Sequence, residues 1–156
     1  MYYVHVFDRR HRTMLPFVAV PLATVLSVIS AIHLCWMVRG VGARASVPSY
    51  ADGTPVFRPG RLACLGVAIA LAAAVVIVLG WVRLLDIGIP RKLLEIGIWG
   101  IGAVFGARTI GDFRYAGVFK RVRGTPFAKW DTRLFTPLCL VIAVATVLLA
   151  STSASR

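Results

Sequence analysis

Four stretches of the chain run apolar for long distances. Met14–Val38 holds 25 uncharged residues, Leu62–Val82 holds 21 and Leu134–Ala150 holds 17. The remaining stretch is broken. Ile96–Ala107 is only 12 uncharged residues, and Leu93–Ile110 reaches 18 by admitting Glu95 and Arg108. A helix needs about 20 predominantly apolar residues to cross a hydrocarbon core. The pattern therefore predicts four spans, near residues 14–38, 62–82, 93–110 and 134–150. Pro16 and Pro21 fall in the first turns expected of the first span, where a missing N–H costs least. The second has an Ala-rich middle (Ala70, Ala72, Ala73, Ala74) suited to close packing, and Trp81 at its end reads as an interfacial aromatic. In the third, Gly102 and Gly106 make a GxxxG packing face, and Glu95 suits the positive helix start. A span enclosed by protein fits this pattern; a re-entrant segment is the alternative.

The segments between the spans are unequal. Arg39–Arg61 carries Val47-Pro48-Ser49, Asp52-Gly53-Thr54-Pro55 and Phe57-Arg58-Pro59-Gly60, which is turn chemistry rather than helix. Arg83–Lys92 is short. Arg108–Arg133 is long and dense in charge and aromatics. In it Thr125-Pro126-Phe127 reads as a turn, and Asp131 or Thr132 as a cap for the last span. With four spans, parity puts both long loops on one side and both termini on the other. The expected fold is an all-α integral membrane bundle of four transmembrane helices, one membrane domain over residues 1–156.

Composition removes the competing classes. Apolar residues make up 58% and charged residues 15%, with mean hydropathy +0.80. Soluble domains carry about 45–50% and about 25%, so a soluble domain and a disordered chain are both set aside. Arg9, Arg10 and Arg12 before an apolar run imitate a signal peptide, and Ala43-Arg44-Ala45 imitates its cleavage site. A signal's apolar region spans only about 7–15 residues, so the first stretch reads as an uncleaved span.

The net charge is +12, from 18 Lys and Arg against six Asp and Glu. Because the basic residues flank apolar runs, the bilayer and its anionic headgroups are the expected partners, not nucleic acid. A bound anionic ligand is the sharper reading. The chain is expected in the cell membrane as a multi-pass protein. The long loops carry eleven Lys and Arg and the opposite segments seven, which favours cytoplasmic long loops; the cluster at Arg9–Arg12 argues the other way. Cys35, Cys64 and Cys139 lie in or beside apolar runs, with no CxxC and no histidine at ligand spacing. They are expected to pack as small apolar residues, with no disulfide framework and no metal. No cofactor is expected: bis-histidine haem needs a second histidine in a span, and His5 and His11 lie outside.

Within the first span, Ser30, His33 and Trp36 share a helix face. His33 is either a structural hydrogen-bonder or a site, as any ionisable residue in a span invites. Arg108, Asp112 and Arg114 close the third span. Arg108 and Asp112, spaced i,i+4, form a candidate pair, and Gly111 permits a turn or a close approach. The alternative for these arginines is an anion site, since guanidinium grips phosphate or carboxylate bidentately. Further on, Lys120, Arg121 and Arg123 interleave with Phe113, Tyr115, Phe119 and Phe127, as in an interfacial segment. His33 with Asp112 or Asp131 is a candidate acid/base pair. No GxSxG, HExxH, P-loop or GxGxxG occurs, so enzymatic activity stays open.

An ordered set of motifs resembles a known family. The set is His33-Leu34-Cys35-Trp36, Val47-Pro48, Phe57-Arg58-Pro59-Gly60, Arg108-x-x-Gly111-Asp112-Phe113-Arg114, Pro126-Phe127-Ala128-x-Trp130-Asp131-Thr132 and Pro137-Leu138-Cys139. It resembles a family of small bacterial four-span membrane proteins known only as a domain of unknown function, over Leu15 to Ala150. Where that family pairs an aromatic with the tryptophan, this chain has Cys35. The resemblance implies an integral membrane protein of the cell envelope and assigns no activity.

Two functions follow from the residues. One is binding or modification of an anionic amphipathic lipid at a basic-aromatic face. There Arg58, Arg108, Arg114, Trp36 and Asp131 hold the ligand, and His33 and Asp112 act as acid and base. The other is a structural or accessory subunit packing against a larger membrane partner or another copy of itself, through Gly102, Gly106 and the Ala-rich second span.

Overall fold

The computed structural model describes residues 2–41, 47–50, 52, 54–86 and 88–152, with side chains from Leu15 onward. The side chains of His5, Arg9, Arg10, His11 and Arg12, and all of Ala43-Arg44-Ala45, lie outside this description. Four stretches of helix are long and apolar enough to cross a membrane: Leu15–Arg39, Arg61–Trp81, Arg91–Ile110 and Pro126–Ser151. The first belongs to a longer helix α1, Tyr2–Arg39; α2 is Arg61–Trp81 and α3 is Arg91–Ile110. The fourth is composite: α4, Pro126–Trp130, then a π turn, Asp131–Phe135, then α5, Thr136–Ser151. No β-strand occurs among the described residues; one isolated bridge, Ser49 with Pro55, closes a turn in the first long loop.

The bundle is two tightly packed pairs. α1 lies along α2 and α3 along α5, with narrower contact of α2 on α3 and α1 on α5. Leu22, Leu26, Val78, Ile98, Ile142 and Leu149 meet in the core, while Phe17, Ile69, Val104 and Val141 face outward. Lipid is as apolar as these side chains, so association rests on close packing and hydrogen bonds rather than on burial from water. Ser30 Oγ donates to Ala68 O on α2 at 2.8 Å. A Cβ on Gly102 would stand 3.2 Å from Thr146 Oγ1, so this glycine sets the α3–α5 approach. Gly106 has open space around it. The GxxxG face is thus used within the chain at one glycine and left free at the other. α3 is a continuous helix rather than a re-entrant turn, though it is no more enclosed than the other spans.

Several local expectations give way to the structure. Pro16 and Pro21 lie inside α1 because that helix starts at Tyr2. Each removes an intrahelical hydrogen bond. Of the α2 alanines, Ala74 is buried while Ala70, Ala72 and Ala73 face outward. Trp81 ends α2, as expected, but its ring turns inward. It is buried, its Nε1–H donates to Leu149 O at 2.9 Å, and the Arg91 guanidinium lies 3.5 Å over its ring. The indole bridges α2 to α5 at the end remote from the long loops. Trp81→Phe should therefore cost about 1–2 kcal/mol, since it leaves a buried carbonyl without its donor. Thermal unfolding in detergent checks this.

The last span begins earlier than its apolar run. Thr125 caps it by accepting from Ala128 N at 3.1 Å, and Pro126 fills the first turn. Asp131 and Thr132 are therefore interior to the helix, not its cap. Pro137 explains the π turn. A proline ring collides with the carbonyl four residues back and offers no N–H. The chain takes up an extra residue just before it, and Thr136 N–H bonds Asp131 O, five residues back. That extra residue brings Asp131 into the fold, fully buried.

Candidate functional site

The segment 111–125 folds as a cap over the ends of α3 and α4, held by two carboxylates. Asp112 Oδ1 accepts three backbone N–H groups, from Arg114 at 3.0 Å, Tyr115 at 2.7 Å and Ala116 at 2.9 Å. Partial burial pushes this carboxyl up, but the three N–H donors outweigh it and hold it below the usual carboxylate range. Asp112 is thus a charged turn-former. The Arg108–Asp112 pair expected from the spacing is replaced, because Gly111 turns the chain and aims Asp112 into its own loop.

Arg108 reaches Asp131 instead. Its Nη2 donates to Asp131 Oδ1 at 2.8 Å. The other carboxylate oxygen accepts from Lys120 Nζ at 2.8 Å, Gly117 N at 2.9 Å and Thr136 Oγ1 at 3.0 Å. Side-chain exposure is 0% for Asp131 and 6% for Lys120. Three donors thus crowd Oδ2 and one reaches Oδ1, on a carboxylate with no solvent exposure. Asp131 is accordingly a buried anchor joining α3, the cap and α5. The Nη1 of Arg108 is buried without a hydrogen-bond partner.

The other sequence-derived candidates lie apart from this cluster. His33 shares a hydrogen bond of 2.8 Å between its Nδ1 and Ile29 O, and its ring meets Trp36 edge-on with centroids 4.9 Å apart. Among the described residues it contacts neither Asp112 nor Asp131. Arg58 is exposed in the first long loop. Arg114 is exposed with its guanidinium 5.2 Å from the Tyr115 ring centre. Tyr115 also meets Tyr50 edge-on at 6.0 Å, which joins the two long loops on one side, as parity requires. Tyr115 and Phe119 are not helix neighbours, because the cap is irregular; Phe119 stacks on Phe113 at 6.1 Å. The thiols of Cys35, Cys64 and Cys139 are free, and no cluster of three metal-ligating side chains occurs among the described residues.

Beside the anchor lies a cleft of about 560 Å³ between the cap and the start of the fourth span. Lys120, Arg123, Lys129 and Arg133 line it, with Val118, Pro137 and Leu140 as its apolar wall. The sequence pattern singles out neither Lys129 nor Arg133, because both precede the apolar run of the last span. It also misses the pairing of Lys120. A signal for that pairing exists: Asp131 is the only acid after Asp112, so any buried cation in this region has one place to go.

A family model described as "Protein of unknown function (DUF3995)" matches residues 26–146. The chain belongs to that family. The matched region runs from within α1 to within α5 and includes the cap, the anchor and the cleft. No curated protein and no solved structure matches the chain. The DUF3995 assignment agrees with the family resemblance and adds no activity, so function rests on the geometry.

Proposed function

We propose that this DUF3995 protein is a multi-pass protein of the cell membrane that binds an anionic amphipathic lipid at its long-loop end. The headgroup sits in the basic cleft and the tail lies against the start of α5. One observation carries the reading: besides the paired Lys120, three cations line a cleft whose apolar wall, Pro137 and Leu140, belongs to a helix long and apolar enough to cross a membrane. Charge balance supports it. The segments Arg39–Arg61 and Arg108–Arg133 hold eleven Lys and Arg against Asp52, Asp112 and Asp131. Asp131 is buried against Lys120 and Arg108, and Asp112 is occupied by backbone N–H groups. Arg58 and Arg114 belong to the surrounding basic face, and Arg108 acts on the site by holding the anchor. His33 and Trp36 form a separate polar pair on α1, and Asp112 shapes the cap.

The test is mass spectrometry of small molecules retained by the protein in native-lipid particles. Arg123→Gln/Lys129→Gln/Arg133→Gln serves as the control, because these three side chains are exposed and hold no ion pair among the described residues. We expect a discrete anionic lipid enriched in the wild type and lost in the variant. Bulk lipid alone in both samples overturns the reading and turns attention to the accessory-subunit alternative. Gly106, with open space around it, is the position where that alternative would show.

A further inference from the structure

We infer that the cleft selects a phosphate monoester or diphosphate headgroup over a singly charged carboxylate or phosphodiester. The inference rests on the proposed lipid site and specifies its ligand. The argument is one of charge matching. Lys120 is consumed by Asp131, which leaves Arg123, Lys129 and Arg133 around the cleft. No acidic side chain lines the cleft among the described residues, and Asp131, the one acid after Asp112 in the sequence, is buried among four donors. Three cations therefore face one space with no protein anion to balance them. A carboxylate or phosphodiester brings a single negative charge. A phosphate monoester brings about −1.5 to −2 at neutral pH together with three acceptor oxygens.

The donors suit those oxygens. Arg133 is exposed, lines the cleft and holds no ion pair among the described residues. Arg123 spends only its Nε, on Lys120 O at 3.5 Å, and keeps both Nη groups. Two forks and an ammonium match the planar, bidentate recognition that guanidinium gives to phosphate. The cleft, at about 560 Å³, is large enough for such a head and the first part of a chain. The Pro137–Leu140 wall leads from the cations onto the helix surface that faces lipid.

The experiment measures binding to the full chain in phosphatidylcholine nanodiscs doped at equal mole fraction with phosphatidic acid, phosphatidylglycerol or oleate. Glycerol 3-phosphate is a soluble fourth probe. Phosphatidic acid is expected to bind about tenfold tighter than phosphatidylglycerol or oleate, the scale of one extra charge among close cations. That preference should fall below about twofold in Arg123→Gln/Lys129→Gln/Arg133→Gln. Arg133→Lys, which keeps the charge and removes one fork, should lie between. Equal binding of phosphatidylglycerol and phosphatidic acid, with both lost in the triple variant, overturns the headgroup inference and leaves the lipid site standing. Binding unaffected by the triple variant overturns both. Glycerol 3-phosphate bound as tightly as phosphatidic acid keeps the phosphate chemistry but assigns a soluble ester, which removes the lipid from the reading.

Discussion

Asp131→Leu is expected to destabilise the protein by about 3–5 kcal/mol, the cost of breaking a buried ion pair by removing one partner. The carboxylate is fully buried and gathers four donors from three parts of the fold. Without it the Lys120 ammonium stays buried with only Gly117 O at 3.3 Å, and the Gly117 N–H and Thr136 hydroxyl lose their acceptor. Arg108 is half-exposed and can turn toward water, so most of the cost falls on Lys120 and the cap. Asp131→Asn should be milder. It retains an acceptor for part of the cluster but cancels the countercharge. The informative partner is Asp131→Leu/Lys120→Met, which removes both buried charges and should recover much of the loss. Thermal unfolding followed by circular dichroism in detergent reads all three. If Asp131→Leu lies within about 0.5 kcal/mol of wild type, the level of an ordinary surface change, the anchor does not hold the cap.

The anchor also shows where sequence reasoning stops. The first two spans were legible because bilayer thickness imposes a length and apolar runs of that length are rare elsewhere; the third was legible only by admitting Glu95 and Arg108. The fourth was legible only from Leu134 onward. Lys129 and Arg133 read as loop charge and Asp131 as a cap, although the helix already begins at Pro126. A hydropathy pattern treats a charge as outside the membrane, whereas a charge paired across three segments can sit inside the fold at its edge. Spacing failed for a related reason at Arg108 and Asp112. The i,i+4 rule presumes that the helix continues, and it ends at Ile110. The inward turn of Trp81 was not legible, because its acceptor Leu149 is 68 residues away and Arg91 folds back over the ring from the start of α3. His33 and Trp36 were legible as a pair because both lie in one helix. Of the site, the sequence carried its basic character and its place at the end of the bundle where both long loops lie. It did not carry which cations are free, since that depends on which of them Asp131 takes.

Gly117→Ala is expected to be nearly as damaging as loss of Asp131, for a steric reason. Gly111 and Gly117 have φ of +91° and +86° and lie backbone against backbone, where the cap folds onto the end of α3. A Cβ on Gly117 would stand 2.5 Å from Ile110 O, and one on Gly111 1.9 Å from Ala116 O. Neither obstacle is a flexible side chain, so the backbones must part. Parting them pulls on the Val118 N–H to Thr109 O bond of 2.9 Å and on the Gly117 N–H held by Asp131. The positive φ alone costs a side chain about 1–2 kcal/mol, and overpacking adds about 1–3 kcal/mol. Gly124→Ala separates the two effects, because Gly124 has φ of +93° but open space around it. It should show the first cost without the second. Thermal unfolding should therefore place Gly117→Ala about 1–3 kcal/mol below Gly124→Ala. Amide exchange at Val118 should accelerate in the first variant and not in the second. Equal stability of the two variants would mean that the cap shifts away from α3 without cost. Because Gly117 and Val118 also line the cleft, the same displacement should release a bound lipid from Gly117→Ala, while the three cleft cations remain in place in the sequence. Retention of the lipid there would place its binding determinants on the fourth span, Pro126–Ser151, alone.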